Sequence, residues 1–465
     1  MFIRPDRPFD HRILPMAPPA DSRALLTELY WTAVTAAEPG PALRAALRAR
    51  PLPDTPVHLL ALGKAARPMA EAAVRFLAEH DREPAGGLLV VPEPGAQPHP
   101  RLPVVVGDHP LPGAGSLAAS DAVAAAVAQV EPTHEAWVLL SGGATSLLGA
   151  PLPSLPPESL QQLYRLLLGS GLDITAMNRI RKRFSRWAGG RLAVALAPAH
   201  VKNFTISDVI GDDLGSIASG PCVPDESRAA DVRAALVSAG LWDKVPAPLR
   251  DHLEATVQGK APETPKPDHP AFTATEVVLV ASNRLALEAA VARARTLGLD
   301  AHLMDAALAG EAADVGRRLA SRLLAYDATK MADAQAGGLN KDTLLVWGGE
   351  TTVTLTPDAG LGGRSQELAL AAAERLAASA GEGRQVTLLA AGTDGRDGPT
   401  EAAGGFADAG VWDAIRAAGR DPAEDLRRHA SHAALAAGQA LFHTGMTGTN
   451  VMDVIFGLVS SGAAR

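Results

Sequence analysis

The stretch VLLSGGATSLL, residues 138–148, runs from a continuous apolar segment into a glycine turn carrying the hydroxyls of Ser141, Thr145 and Ser146. A short apolar run ended by glycines reads as a buried parallel strand, because such strands are covered on both faces. Gly142 and Gly143 would let backbone N–H groups approach an anion closely, with a plain tight turn as the competing reading. The turn lacks the GxSxG of a hydrolase elbow, and the chain lacks the GxGxxG of a dinucleotide loop.

The same rhythm repeats outward from this stretch. VHLLAL (57–62) precedes the helical pattern AARPMAEAAVRFLAEH, and GGLLVV and PVVV follow before AWVLL (136–140). Later come EVVLVAS, TLLVW, TVTLT and VTLLAAG. Strands alternating with helices predict an α/β fold whose parallel sheet has helices on both faces. At 465 residues the chain is too long for one ordinary core. KAPETPKPDHPAF (260–272), with four prolines, is the linker candidate. The expected division is an irregular tail 1–21, an N-terminal Rossmann-like α/β domain 22–260, a linker 261–272 and a C-terminal α/β domain 273–465. Residues 328–341 read as a surface insertion.

Composition excludes several classes. A net charge of −8 argues against nonspecific nucleic-acid binding. The single cysteine, Cys222, rules out an internal disulfide. The first 22 residues, broken by prolines, hold no apolar core of signal-peptide length, and no run approaches a membrane span. A soluble cytoplasmic protein is expected. MNRIRKRFSRWAGGRLA (177–193) has six basic residues, but Met177, Ile180, Phe184 and Trp187 form a helical stripe. It reads as an amphipathic helix with a solvated cationic face, ahead of an anion-pocket wall or an RNA contact.

Polar motifs fall where apolar runs end: GKAA after 57–62, SGGATS after 136–140, SDVIGDD after KNFTI, GGET after TLLVW and GTDGRDGPT after VTLLAA. Ligands of open α/β sheets bind outside the carboxyl ends of strands, so these motifs predict one site in an interdomain cleft. Lys64 would stand at a helix start, where it could reach a phosphate or carboxylate. Asp208, Asp212 and Asp213 crowd a turn with Ser216 and Ser219. Such oxygen donors suit Mg²⁺, or one aspartate could accept a hydroxyl proton, and an Asx-turn is the structural alternative. Asp394, Asp397 and Thr400 repeat that logic, and Glu350 sits at a strand-to-hairpin corner. Arg364 opens an amphipathic helix as a carboxylate or phosphate clamp. Thr447, Thr449 and Asn450 occupy a glycine-bounded loop. His109 is the one histidine beside a candidate loop, and a structural role is assigned to it.

Together these motifs resemble the class II glycerate 2-kinases, with DUF4147 and MOFRL domains. The resemblance is carried by GKAARPMA, LSGGATSLL, MNRIRKRFSRWAGGRLA, SDVIGDDLGSIASGPCVPD, GGETTVTL with GGRSQELALA, GTDGRDGPTEAAG and TGMTGTNVMD, over residues 25 to 460. It implies two α/β domains, the second of mixed-sheet MOFRL type, with the active site between them. It also implies ATP-dependent phosphorylation of D-glycerate at the 2-hydroxyl with Mg²⁺ or a similar divalent ion. Lys64 and Arg364 match the family's active-site lysine and arginine. Asp208 joins them as a catalytic candidate. Ser141, Gly142, Gly143, Thr145, Ser219, Glu350, Asp394, Thr447 and Asn450 are expected on substrate or phosphate, and Asp212 and Asp213 on the metal. The chain departs from the pattern at Ala144, Thr145, Ala188, Leu361, Ser365 and Met452. A homodimer is compatible with these expectations.

Alternatives are a kinase for a related small hydroxy acid, an NAD(P)H-dependent hydroxypyruvate reductase, as some relatives are labelled, and a two-domain small-anion binding protein. The reductase would need the dinucleotide fingerprint that the chain lacks.

Overall fold

The computed structural model describes residues 21–326, 342–379 and 385–460. The expected tail, apart from Asp21, and the 328–341 insertion lie outside these. The chain forms two compact units. Among the described residues, one comprises 34–286 and 447–452, the other 21–33, 287–326, 342–379, 385–446 and 453–460.

The first unit is built on a parallel sheet of β1 (Val57–Leu62), β2 (Gly86–Val91), β3 (Val104–Val106), β4 (Glu135–Leu140), β5 (His200–Ile206) and β6 (Thr275–Ala281). β1 and β4 are buried along their whole length, as their unbroken apolar sequences require. On one face Leu60, Leu62, Val138 and Leu140 pack with Val123 and Val127 of helix Ala114–Val127. On the other, Trp137 meets Phe76 of helix Ala66–Ala78 with ring centroids 6.2 Å apart. Helices therefore cover both faces. A separate apolar cluster joins helices Pro157–Leu168, Ile174–Phe184, Ala229–Ser238 and Ala247–Val257 through Leu163, Phe184, Leu236 and Leu253.

The strand order is β3-β2-β1-β4-β5-β6. This order reverses between β1 and β4, and the crevice at such a switch point is where open sheets bind ligands.

The second unit holds a mixed sheet of β7 (Asp300–Leu308), β8 (Thr343–Gly349), β9 (Gln385–Gly392), β10 (Gly404–Asp408), β11 (Leu441–Phe442) and β12 (Asp453–Ser460). Its order is β11-β10-β9-β12-β8-β7, and only β7 and β8 pair in parallel.

Three expectations change. EVVLVAS, expected to open the C-terminal domain, is β6 and closes the first sheet against β5. The proline-rich segment is likewise docked rather than free. Thr264 Oγ1 donates to Asp225 Oδ2 at 2.9 Å, and Lys266 Nζ to the Asp225 carbonyl at 3.0 Å. TVTLT (352–356) is not a strand; only Thr352 pairs, in an isolated parallel bridge with Glu311. The Glu311 carboxylate accepts from Thr354 Oγ1 at 2.6 Å and Thr354 N–H at 3.2 Å.

The cationic helix corrects the expectation of a solvated face. Arg181, Lys182 and Arg183 are buried. Arg183 pairs with Glu263 and Asp225, Lys182 Nζ donates to the Gly215 carbonyl at 3.0 Å, and the Arg181 guanidinium lies 4.5 Å from the Tyr164 ring centroid. These charges are consumed internally, which removes most of the nucleic-acid footprint. Among the described residues no helix is long and apolar enough to cross a membrane.

Candidate active site

In the first unit the loops after β1 and β4 are locked together. Ser141 N–H donates to the Leu62 carbonyl at 3.0 Å, and Lys64 N–H to the Gly142 carbonyl at 2.9 Å. Ser141 Oγ accepts from Ala65 N–H at 2.9 Å, so this buried hydroxyl braces the GKAA turn. Gly63 has φ +122°, and a Cβ there would lie 2.5 Å from the Ser141 carbonyl oxygen. Only glycine fits.

Lys64 is exposed, and its ammonium makes no ion pair or hydrogen bond among the described residues. Its stem runs over the glycine turn, where a Cβ at Gly143 would lie 3.2 Å from Lys64 Cγ and 3.3 Å from His109 Cδ2. His109 thus stands beside Lys64 at this turn. Its burial and then the Lys64 charge push its imidazole below the ordinary range.

Asp208 abuts Gly142. Thr145 Oγ1 and Ser219 Oγ are 3.0 Å apart. Ala218, Ser219 and Gly220 all have positive φ (50°, 63° and 61°), a run of left-handed backbone that recurs at functional sites. The structure therefore assembles Lys64, Ser141, Gly142, Gly143, Thr145, Asp208 and Ser219. Ala144 faces the core and is only 2% exposed.

Asp212 and Asp213 form no cation site with a third carboxylate, histidine or cysteine among the described residues. Asp213 is held by its own turn, accepting from Gly215 N–H at 3.1 Å and from Ser216 Oγ at 2.5 Å. Among the described residues no cluster of three or more Asp, Glu, His or Cys side chains could hold a metal. The Asx-turn alternative describes Asp213.

Thr447 and Asn450 belong to the short segment that joins the first unit. Thr447 Oγ1 accepts from Thr449 N–H at 3.3 Å and Asn450 Oδ1 from Met452 N–H at 3.1 Å. Both side chains shape this turn.

In the second unit the carboxyl ends of β8 and β9 meet the amino end of β12, because β12 runs antiparallel to both. Asp453 consequently sits between Gly349 and Gly392. Arg364 reaches it with two hydrogen bonds, Nε to Oδ2 at 2.6 Å and Nη2 to Oδ1 at 3.0 Å, while Nη1 pairs with Glu350. Burial opposes the Arg364 charge, but Asp453 and Glu350 hold the guanidinium above its ordinary range. Burial pushes the Asp453 carboxyl up to about 6 against the pull of Arg364.

Arg364, Glu350 and Asp394 line a cavity of about 640 Å³ with Arg396, Glu367 and His429. Asp394 Oδ1 accepts from Arg396 N–H at 3.0 Å within its turn. Asp397 is not free for metal or ribose. Its carboxylate is buried and accepts from Ser365 and Gln366 N–H at 3.1 and 2.8 Å, capping helix Arg364–Ala377. Thr400 is buried and bonded to Gln366 Nε2 at 2.9 Å. That helix is buried on nearly every side rather than amphipathic, from Ser365 through Ala373.

Residues 25–254 match the domain of unknown function DUF4147, and residues 343–453 match the MOFRL family. A Thermotoga maritima protein named D-glycerate 2-kinase is 36% identical, covering 87% of this chain and 90% of its own. The chain belongs to the glycerate kinase family. The crystal structure of a Thermotoga maritima glycerate kinase aligns with a TM-score of 0.82 at 35% identity, covering 95% of this chain and 100% of that one. A 35% identical relative in Agrobacterium vitis, matched over 93% of each chain, carries the name hydroxypyruvate reductase. The expected α/β architecture, with one parallel and one mixed sheet, is the one observed. Sequence reasoning missed Asp453, Glu367 and His429 as parts of the site.

Proposed function

We propose that this protein transfers the γ-phosphoryl group of ATP to the 2-hydroxyl of D-glycerate, giving 2-phosphoglycerate and ADP. One observation carries the reading within this family. A lysine unpaired among the described residues stands at the switch point of the parallel sheet, and Arg364 lines a cavity with its guanidinium held by two carboxylates. Phosphoryl transfer requires positioning and charge neutralisation more than covalent chemistry.

Lys64 and the 141–146 turn take phosphate oxygens, and His109, kept neutral, adds no competing positive charge beside Lys64. Asp208 and Ser141 act as braces for this turn. A guanidinium has five N–H donors, and Asp453 and Glu350 occupy three of those on Arg364. The rest serve a substrate carboxylate or the transferring phosphoryl. Mg²⁺ enters with ATP as part of the substrate, carried by phosphate oxygens and water. On this reading the enzyme works in the cytoplasm, where its nucleotide is found.

The hydroxypyruvate reductase name of one relative defines the second reading. The first sheet has the strand order of dinucleotide folds, but the turn after β1 is GKAA without the glycine fingerprint. Purified protein is given D-glycerate with MgATP and, separately, hydroxypyruvate with NADH. ADP formation without NADH oxidation is expected, and NADH oxidation without ADP formation refutes the kinase.

A further inference from the structure

His429 stands in the wall of the cavity that holds Arg364, with a buried carboxylate behind it. Its Nδ1 lies 2.8 Å from Glu367 Oε1, and the Glu367 side chain is only 4% exposed. The turn carrying His429 is fixed from both sides. His429 N–H donates to the Leu426 carbonyl at 3.2 Å, and His432 N–H donates to the Leu361 carbonyl at 3.1 Å. The backbone of His429 has φ +53°, a left-handed conformation that costs a histidine free energy and persists where the surroundings enforce it.

A carboxylate at Nδ1 sets both tautomer and ring orientation, leaving Nε2 as the acceptor. No side chain among the described residues bonds to that Nε2, and the ring keeps 18% exposure. Besides this pair, Glu350, Asp394 and Arg396 line the cavity. Glu311 interacts with both His429 and Glu367, Arg317 acts on Glu367, and Arg364 and Asp397 line the same cavity. His432 differs. Its Nδ1 lies 3.0 Å from Gln366 Oε1 and its Nε2 3.7 Å from Glu401, and it is not among the residues lining the cavity.

We infer that His429, oriented by Glu367, accepts the proton of the substrate hydroxyl during phosphoryl transfer, an inference that rests on the kinase reading above. As the hydroxyl oxygen bonds to the γ-phosphorus, its O–H bond breaks and the proton passes to His429 Nε2. The bond from the γ-phosphorus to the bridging oxygen breaks, and its electron pair leaves with ADP. The imidazolium then returns the proton to solvent. Glu367 is a positioning residue here, acting through the ring.

The test uses full-length enzyme with D-glycerate and MgATP. His429→Ala is expected to lose roughly 100-fold in kcat, a typical general-base contribution, with both KM values little changed and activity partly restored by added imidazole. His429→Gln, which keeps bulk and polarity, loses activity similarly and guards against a folding failure in the alanine variant. Glu367→Gln lowers kcat with unchanged KM and does not respond to imidazole, whereas His432→Gln stays close to the parent enzyme. Full kcat in His429→Gln, or a folded His429→Ala with normal KM values that ignores imidazole, overturns the assignment. A parent enzyme that forms no ADP overturns the kinase reading itself, and this inference with it.

Discussion

Arg364 donates to both carboxylate oxygens of Asp453, Nε to Oδ2 at 2.6 Å and Nη2 to Oδ1 at 3.0 Å. The aspartate is 5% exposed and the arginine 33%, so the pair sits at the boundary between core and cavity. Two-point contact fixes the guanidinium plane, which a single carboxylate contact would leave free to rotate. Asp453→Asn is therefore expected to cost roughly 1.5–3 kcal/mol, the range for hydrogen bonds to charged groups. It should also raise the KM of the substrate that Arg364 holds. Urea melts and steady-state kinetics check the two effects.

Asp453 also predicts the sign of a pH effect. Its folded-state carboxyl is raised to about 6 by burial, against an unfolded value of about 3.9. The folded protein thus binds this proton more tightly than the unfolded chain. Its stabilising contribution is complete below the unfolded value and is lost as pH rises through about 6. The stability difference between the parent and Asp453→Asn should widen in the parent's favour from pH 7 to pH 4. Paired melts across that range measure it.

Lys64 is exposed and unpaired among the described residues, so Lys64→Ala should change stability by less than about 0.5 kcal/mol. Turnover should nevertheless fall by a factor on the order of 100 or more, as when a preorganised charge-stabilising group is removed. Thermal melting alongside kcat/KM separates the two.

Ala144 departs from the family pattern but faces the core beside Leu140 and Leu147. Ala144→Gly should leave both KM values unchanged while costing roughly 0.5–1 kcal/mol through helix propensity and backbone entropy. A changed KM would mean that this residue meets substrate.

Arg183 is 3% exposed and faces Asp225 and Glu263. Removing one partner of a buried charge cluster leaves the others uncompensated. Arg183→Met should therefore destabilise by roughly 3–5 kcal/mol, read as a loss of the unfolding midpoint. An unchanged midpoint would show that the helix is solvated, as its sequence alone suggests.

Much of the first unit was legible because parallel strands covered on both faces leave unbroken apolar runs such as VHLLAL and EAWVLL. Lys64 and the 141–146 turn were legible because parallel strands bring all their carboxyl ends to one edge. Asp453 was not, since β12 runs the other way and presents its amino end at that edge. Apolar content alone could not show that β6 belongs to the first sheet, because periodicity does not name a strand's partner. The burial of Lys182 and Arg183 depends on Asp225 and Glu263, 43 and 80 residues away from them respectively in the ion pairs they form. The Glu367–His429 pair spans 62 residues and leaves no local pattern to find.

The most direct test is phosphorus NMR of the product formed from D-glycerate and MgATP by the full-length enzyme. A single new phosphomonoester signal, coupled to the C2 proton and accompanied by ADP, is the result expected for transfer to the 2-hydroxyl. Coupling to the C3 methylene protons, or no new phosphomonoester at all, would contradict it.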